Sequence, residues 1–231
     1  MIRFLRPLLR KWCLTANTIR YRVEWPRLAD AMRVCGPVET LFDGGAGSGE
    51  FARRMLDHHL CRKVIALEPE TFSLLQQNLG HRKEARLIEG SLLEVPLPDA
   101  CVDLAMSTQV IEHIEDHERA VAEMARITRP GGWILITVPH PPEHFPQPGH
   151  VREGYTPADL TALLAPLNCA PVHTDWFLTR PTTTRFLRAC RLPLKGVYLP
   201  AAWADCETAL TPEERRVQEP FGILMLFQKK P

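Results

Sequence analysis

The sequence predicts an α/β fold: a mostly parallel sheet with helices on both faces. Three observations predict it. Short apolar runs alternate with segments of helical period over residues 39–140. Two of those runs, 102–106 and 133–138, are apolar almost without interruption, as strands covered on both faces must be. Between the first run and the first of these helical segments stands Leu41-Phe42-Asp43-Gly44-Gly45-Ala46-Gly47-Ser48-Gly49-Glu50-Phe51, a glycine-rich turn where such sheets open their ligand sites.

The elements follow in order. A helix is expected around Glu24–Met32, with Trp25-Pro26 at its start. Glu39–Asp43 reads as the first strand and Glu50–His58 as a helix whose last turn carries histidines, favourable at its negative end. Val64–Glu68 is the second strand. A helix over Thr71–Leu79 is expected to close at Gly80. Arg86–Glu89 and Val102–Ser107 give the third and fourth strands. Ala120, Val121, Met124 and Ile127 mark one face of a helix over Asp116–Thr128, and Arg129-Pro130-Gly131-Gly132 breaks it before the fifth strand at Trp133–Pro139. Thr156-Pro157-Ala158-Asp159 opens another helix, with Thr156 capping, Pro157 in the first turn and Asp159 at the positive end. Pro171–Leu178 and Phe221–Gln228 are the last two strands. Residues 180–220 are rich in Arg and Pro and show no clear period.

Bulk properties narrow the function. The chain of 231 residues suits one domain with one sizeable core. Lys and Arg (28) nearly cancel Asp and Glu (27), so the net charge of +1 gives no general attraction to nucleic acid. The seven cysteines include no Cys-x-x-Cys pair, and the count is odd; reduced thiols in a cytoplasmic protein fit better than a zinc site or a disulfide framework. Arg3, Arg6, Arg10 and Lys11 interrupt the apolar residues of the N-terminus, so no spanning segment is expected there. Leu5, Leu8, Leu9 and Trp12 share one helical face, which suits packing on the protein's own body or, as the lesser alternative, peripheral contact with a membrane surface.

Bare backbone between a strand and a helix lets a ligand lie against main-chain N–H groups. Three nucleotide motifs compete for this place. A Walker A loop needs Lys where this chain has Glu50, which would repel phosphate. In the dinucleotide fingerprint the third glycine would follow Gly47 by three residues, and here Gly49 arrives one residue early. What remains is Asp-x-Gly-x-Gly-x-Gly: Asp43, Gly45, Gly47 and Gly49. Glu68 ends the second strand 19 residues beyond Gly49, where a carboxylate accepts from ribose hydroxyls.

With these residues the chain resembles the class I S-adenosylmethionine-dependent methyltransferases, in their small-molecule branch that acts on ubiquinone and menaquinone precursors. Residues 88–116 and 129–139 are similar to the family's passage through the third to fifth strands, so the match covers about 39–140. The resemblance implies a Rossmann-like three-layer sandwich around a mostly parallel seven-stranded sheet with an antiparallel last strand. It divides a single domain, 1–231, into an N-terminal helical cap (1–38), a cofactor-binding core (39–140) and substrate-side loops with the C-terminal strands (141–231). S-adenosyl-L-methionine is the implied cofactor. Asp43 would face its ammonium group, Gly45, Gly47 and Gly49 its amino-acid tail, Glu68 its ribose, Ser91 and Leu92 its adenine, and Gln109 its methionine end. The family commonly has Asp where this chain has Ser91.

The implied reaction is in-line transfer of the sulfonium methyl group to an oxygen or nitrogen of a small metabolite or of a lipid- or sugar-linked intermediate. A general base assists when the acceptor is a hydroxyl. His113, His140 and His150 are the candidates. His150 is preferred because Arg152, Glu153 and Tyr155 add polar contacts beside it. No metal is expected, since His140, His144 and His150 lack helical spacing and no Cys or paired acid joins them. Arg20 and Tyr21 are a lesser choice for closing over the methionine carboxylate. Methylation of RNA or protein is the alternative enzyme reading, against which stand the near-neutral charge and the sequence Ser107-Thr108-Gln109-Val110, where amino-methylating enzymes of bases often carry Asn/Asp-Pro-Pro-Tyr/Phe. A binding scaffold without catalysis is the third reading.

Overall fold

A computed structural model describes residues 13–14, 16–142, 149–190 and 199–231. The amphipathic face expected over residues 3–12 and His144 lie outside the described residues. Among the described residues no helix is long and apolar enough to cross a membrane.

The described elements run β1 (Cys13–Leu14), α1 (Ala16–Cys35), β2 (Thr40–Gly44), α2 (Glu50–Asp57), β3 (Lys63–Glu68), α3 (Phe72–Leu79), β4 (Ala85–Glu89), β5 (Val102–Thr108), α4 (His117–Ile127) and β6 (Thr128–Pro139). They continue with α5 (Pro157–Leu164), β7 (Cys169–Phe177), α6 (Arg180–Cys190), β8 (Leu199–Pro200), α7 (Ala201–Thr208), α8 (Pro212–Arg216) and β9 (Gly222–Lys229). A single 3₁₀ turn, Ile111–His113, follows β5.

Seven strands form one sheet in the order β4-β3-β2-β5-β6-β9-β7. The pairings from β4 to β6 are parallel. β9 runs antiparallel to both β6 and β7, so it alone is reversed. Order reverses at β2, which lies between β3 and β5, and the carboxyl ends of these strands part to leave a crevice.

Successive strand residues point to opposite faces, and both faces are apolar. In β9, Ile223, Met225 and Phe227 join one buried cluster while Leu224 and Leu226 join the other. In β2, Leu41 and Phe42 divide the same way. Leu28 and Met32 of α1 and Met55 of α2 complete the cluster of Leu224 and Leu226; Val121 and Met124 of α4 and Leu160 of α5 complete that of Ile223, Met225 and Phe227. Each fully buried Leu or Phe contributes about 1.5–3 kcal/mol relative to exposure.

The structure corrects several boundaries. The helix expected to begin at Trp25-Pro26 begins at Ala16 and carries Pro26 in its interior. Proline removes one helical hydrogen bond there, and burial of Ile19, Val23, Leu28 and Ala31 against the sheet holds both halves in one helix. Gly80 closes α3 with a right-handed φ of −63°, so it ends the helix without the left-handed turn expected of a glycine cap. The break at Arg129–Gly132 belongs to the start of β6: Val102 pairs with Thr128 and Leu104 with Trp133, so the extra residues bulge out of the ladder. Residues 180–220, read as showing no clear period, contain three helices among the described residues. Thr211 and Glu214 cap α8 with the reciprocal bonds that Thr156 and Asp159 make at α5.

Candidate active site

The crevice at the strand ends holds a cavity of about 640 Å³, lined by Gly45, Gly47, Glu68, Ser91, Leu92, Gln109 and His113 among others. Six of the eight residues assigned to cofactor contact therefore meet on one surface. Asp43 lies beneath it, only 2% exposed. Gly49 turns elsewhere: a side chain there would meet Leu75 and Leu79 of α3 at 2.7 Å. Its role in this structure is close packing of the turn on α3, because it precedes α2 at a left-handed φ of +76°.

The glycines build the floor. Gly45 has φ +76° and lies so close to Val110 that an added Cβ would stand 2.4 Å from it. Gly47, at φ +55°, has open space where a side chain would project, and the backbone there faces the cavity bare. The turn is tied to β3: Gly45 and Ala46 donate to the Leu67 carbonyl at 2.9 and 3.0 Å.

Glu68 is 6% exposed and accepts from three main-chain N–H groups: Gly47 at 2.7 Å, and Glu70 and Thr71 at 3.0 Å. Two of those bonds reach one oxygen and the third reaches the other, so lone-pair capacity remains for a hydroxyl. Ser91 accepts from the Leu93 amide at 3.2 Å and is exposed at the rim, while Leu92 is buried and packs toward Gly44.

Two of the buried atoms without a hydrogen-bond partner among the described residues belong to this site, Asp43 Oδ1 and Gln109 Nε2; Arg27 Nε, Ser107 Oγ and His173 Nε2 are others. A buried polar atom left unmatched costs about 1–3 kcal/mol, and native structures keep such atoms mainly where a ligand or water supplies the match. Burial pushes the Asp43 carboxyl up to about 7, against the pull of the Arg20 guanidinium and with the help of Glu68. Gln109 follows β5 at φ +56°, and its main-chain N–H donates to the Thr137 carbonyl at 2.8 Å, which fixes the strained turn into the cavity.

Arg20 reaches this end of the sheet. It binds Glu24 at 2.6 Å and the Thr108 carbonyl at 3.0 Å, and Glu24 in turn accepts from Thr137 at 2.6 Å. Tyr21 instead packs edge-on against Phe51, ring centres 5.1 Å apart, as part of the α1–α2 contact.

The three histidines separate. His113 lines the cavity and its ring lies 4.7 Å from that of His150 at 72°. His140 is not among the lining residues. Its main-chain N–H donates to Phe221 at 2.7 Å, and burial lowers the pKa of its ring. Sequence reasoning missed Glu112, fully buried beside His113, and the clamp made by Arg152. Arg152 donates to the carbonyls of Ile111 (2.8 Å), Ile114 (2.7 Å) and Glu115 (3.0 Å), holding the 3₁₀ turn to the segment that bears His150. The acid in Val110-Ile111-Glu112-His113-Ile114 was visible, but nothing in its spacing set it apart from a surface charge.

Comparison with known proteins agrees with this geometry. Residues 42–136 match the family model described as a methyltransferase domain. The chain is 34% identical over 151 residues to a probable S-adenosylmethionine-dependent methyltransferase of Mycolicibacterium smegmatis, covering 63% of this chain and 56% of that protein. It is 34% identical over 101 residues to a malonyl-[acyl-carrier protein] O-methyltransferase of Serratia marcescens, covering 44% and 38%. The chain thus spans about half the length, or less, of these relatives. A geranyl diphosphate methyltransferase solved with S-adenosylmethionine shares the fold, with a TM-score of 0.63, 17% identity, and coverage of 90% and 86%.

Proposed function

We propose that this chain, whose residues 42–136 belong to the S-adenosylmethionine-dependent methyltransferases, carries a methyl group from that cofactor to an oxygen or nitrogen of a small or carrier-linked metabolite. One observation supports this above the others. Beneath the cavity the Asp43 carboxylate has a buried oxygen, and at its wall Gln109 has a buried amide N–H₂, neither with a hydrogen-bond partner among the described residues. An amino-acid tail offers the ammonium and carboxylate that suit them.

The residues fit the cofactor group by group. Asp43 would receive the ammonium, a cation that offsets the cost of its burial. Gly47 gives the tail room along the main chain. Glu68, held by three amides, would accept from the ribose hydroxyls. Leu92 and Ser91 stand where the adenine would lie. Arg20, partly exposed beside the Thr108 carbonyl, is placed for the methionine carboxylate. Bound there, the sulfonium supplies an electrophilic methyl group. The chain's own work is to orient the acceptor and to take up its proton; His113, which lines the cavity, would do both, with the His150 ring packed against it rather than among the lining residues. The near-neutral charge favours a small acceptor over a nucleic acid.

Calorimetry with S-adenosylhomocysteine tests the binding half. The wild type should bind one equivalent, and Glu68→Ala should weaken binding at least tenfold. No heat in the wild type would overturn the proposal. Mass spectrometry of candidate acceptors, seeking the gain of one methyl group, tests the catalytic half.

A further inference from the structure

The Glu112 carboxylate, the His113 ring and the His150 ring offer ligand atoms that all lie within 4.8 Å of one another. They come from two segments, the 3₁₀ turn after β5 and the stretch following Gly149. Those segments are stapled together. Val151 donates to the Glu112 carbonyl at 3.0 Å, and Arg152 reaches three carbonyls of the turn.

The tautomer of His113 is also set. Its Nδ1 lies 2.9 Å from the Gly149 carbonyl. A carbonyl only accepts, so Nδ1 carries the proton and Nε2 keeps its lone pair. A main-chain carbonyl orienting one ring nitrogen while the other is left to coordinate is the usual support of a metal-ligating histidine. Two imidazoles and one carboxylate are a donor set for divalent first-row transition ions, with positions left open for solvent or substrate. Bonds of about 2.1 Å place ligand atoms roughly 3–3.5 Å apart, so separations of up to 4.8 Å must close by as much as about 1.3–1.8 Å around an ion.

We propose that Glu112, His113 and His150 bind one divalent first-row transition metal ion, Zn²⁺ being the probe that fits the donors, at the acceptor side of the cavity. The inference rests on the reading above for what the ion does, though not for its binding. His113 and Gly149 line the cavity, so an open position faces the space beside Gln109. An acceptor hydroxyl bound to the ion loses its proton to solvent water more readily. Its oxygen then forms the new O–C bond as the S–C bond breaks, with that electron pair passing to sulfur. The two histidines thereby act through the ion and need not serve as free bases.

The test uses the full chain, treated with a chelator and dialysed. Zn²⁺ is titrated by calorimetry, and Co²⁺ by visible absorption, in the wild type, Glu112→Gln and His150→Ala. S-adenosylhomocysteine binding is measured separately on each. The expected result is one ion per chain with micromolar or tighter affinity. His150→Ala should weaken it at least tenfold while cofactor binding stays within threefold. Because Glu112 is buried and its variant risks misfolding, His150→Ala carries the decision. An absent ion, or affinity unchanged by His150→Ala, would overturn the metal site and leave the methyltransferase reading standing. Loss of cofactor binding in the wild type with the metal retained would do the reverse.

Discussion

Replacing Asp43 with Asn should make the cofactor-free protein more stable at neutral pH while abolishing cofactor binding. Asp43 is 2% exposed, and its carboxyl is pushed to about 7 against an ordinary 3.8. A carboxyl pKa raised on folding means that the native state holds a proton the unfolded chain has released. The cost of burying the charge is absent below pH 3.8, grows as pH rises, and is complete above pH 7. A difference of about 3 units corresponds to roughly 4 kcal/mol. Asn keeps the shape and removes the charge, so this is the ceiling of the gain. For a chain of this size each kcal/mol moves Tm by about 2–4 °C. Scanning calorimetry of both proteins at pH 3, 5 and 8 should show curves that nearly coincide at the lowest pH, with the variant melting progressively higher as pH rises. S-adenosylhomocysteine should raise the Tm of the wild type alone. A Tm difference independent of pH, or a variant that melts lower at pH 8, would refute the argument that this charge is held for a ligand at the expense of the fold.

Other outcomes follow from the same geometry. Cofactor affinity should fall about tenfold per unit as pH drops below 7, because the ammonium needs the ionised Asp43; calorimetry at pH 7.5, 6.5 and 5.5 would show it, and a flat profile would contradict it. Gly45→Ala places a methyl group 2.4 Å from Val110 at a left-handed φ. It should cost about 1–3 kcal/mol in urea melts and weaken cofactor binding. Asp175, bound to Arg215 at 2.7 and 2.8 Å and 3.9 Å from Arg27, is buried with both. Asp175→Ala should destabilise by about 3–5 kcal/mol by leaving two buried cations, with S-adenosylhomocysteine affinity within threefold of the wild type.

The central sheet was legible because its strands carry their own signature: residues 64–67 and 134–138 are almost wholly apolar, as burial on both faces requires, and the buried polar exceptions, Glu68 and Thr137, have hydrogen-bond partners. The part of the cavity lined by the glycine turn and Glu68 was legible for a related reason. Gly45, Gly47 and Glu68 act through local main-chain geometry, and local geometry leaves a spacing in the sequence. The acceptor side was not. Glu112 and His150 are 38 residues apart, and it takes the Arg152 clamp, the Val151–Glu112 main-chain bond and the His113–Gly149 bond to bring their segments together. The start of α1 was missed because Pro26 reads as a beginning when nothing reveals the sheet beneath it. The three helices of 180–220 were hidden for another reason: their buried faces meet polar partners as well as apolar ones. Glu207 of α7 accepts from the Leu178 and Thr179 amides, and Arg215 of α8 donates to the Asp175 carboxylate, so apolar periodicity never develops. The capping signal Thr211-Pro212-Glu213-Glu214 was present and repeats the one read at Thr156.

β9 lies late in the chain and deep in the sheet. Its seven pairings with β6 and its pairings with β7 are the whole lateral attachment of β7. A ribosome that has released everything up to residue 221 has therefore made a sheet with an open flank and a strand with no neighbour. Closure must wait for Gly222–Lys229 to thread between two strands already synthesised. Nascent chains stalled before this segment should be readily digested by protease, and a tag that hinders its entry should harm folding more than one on any surface loop.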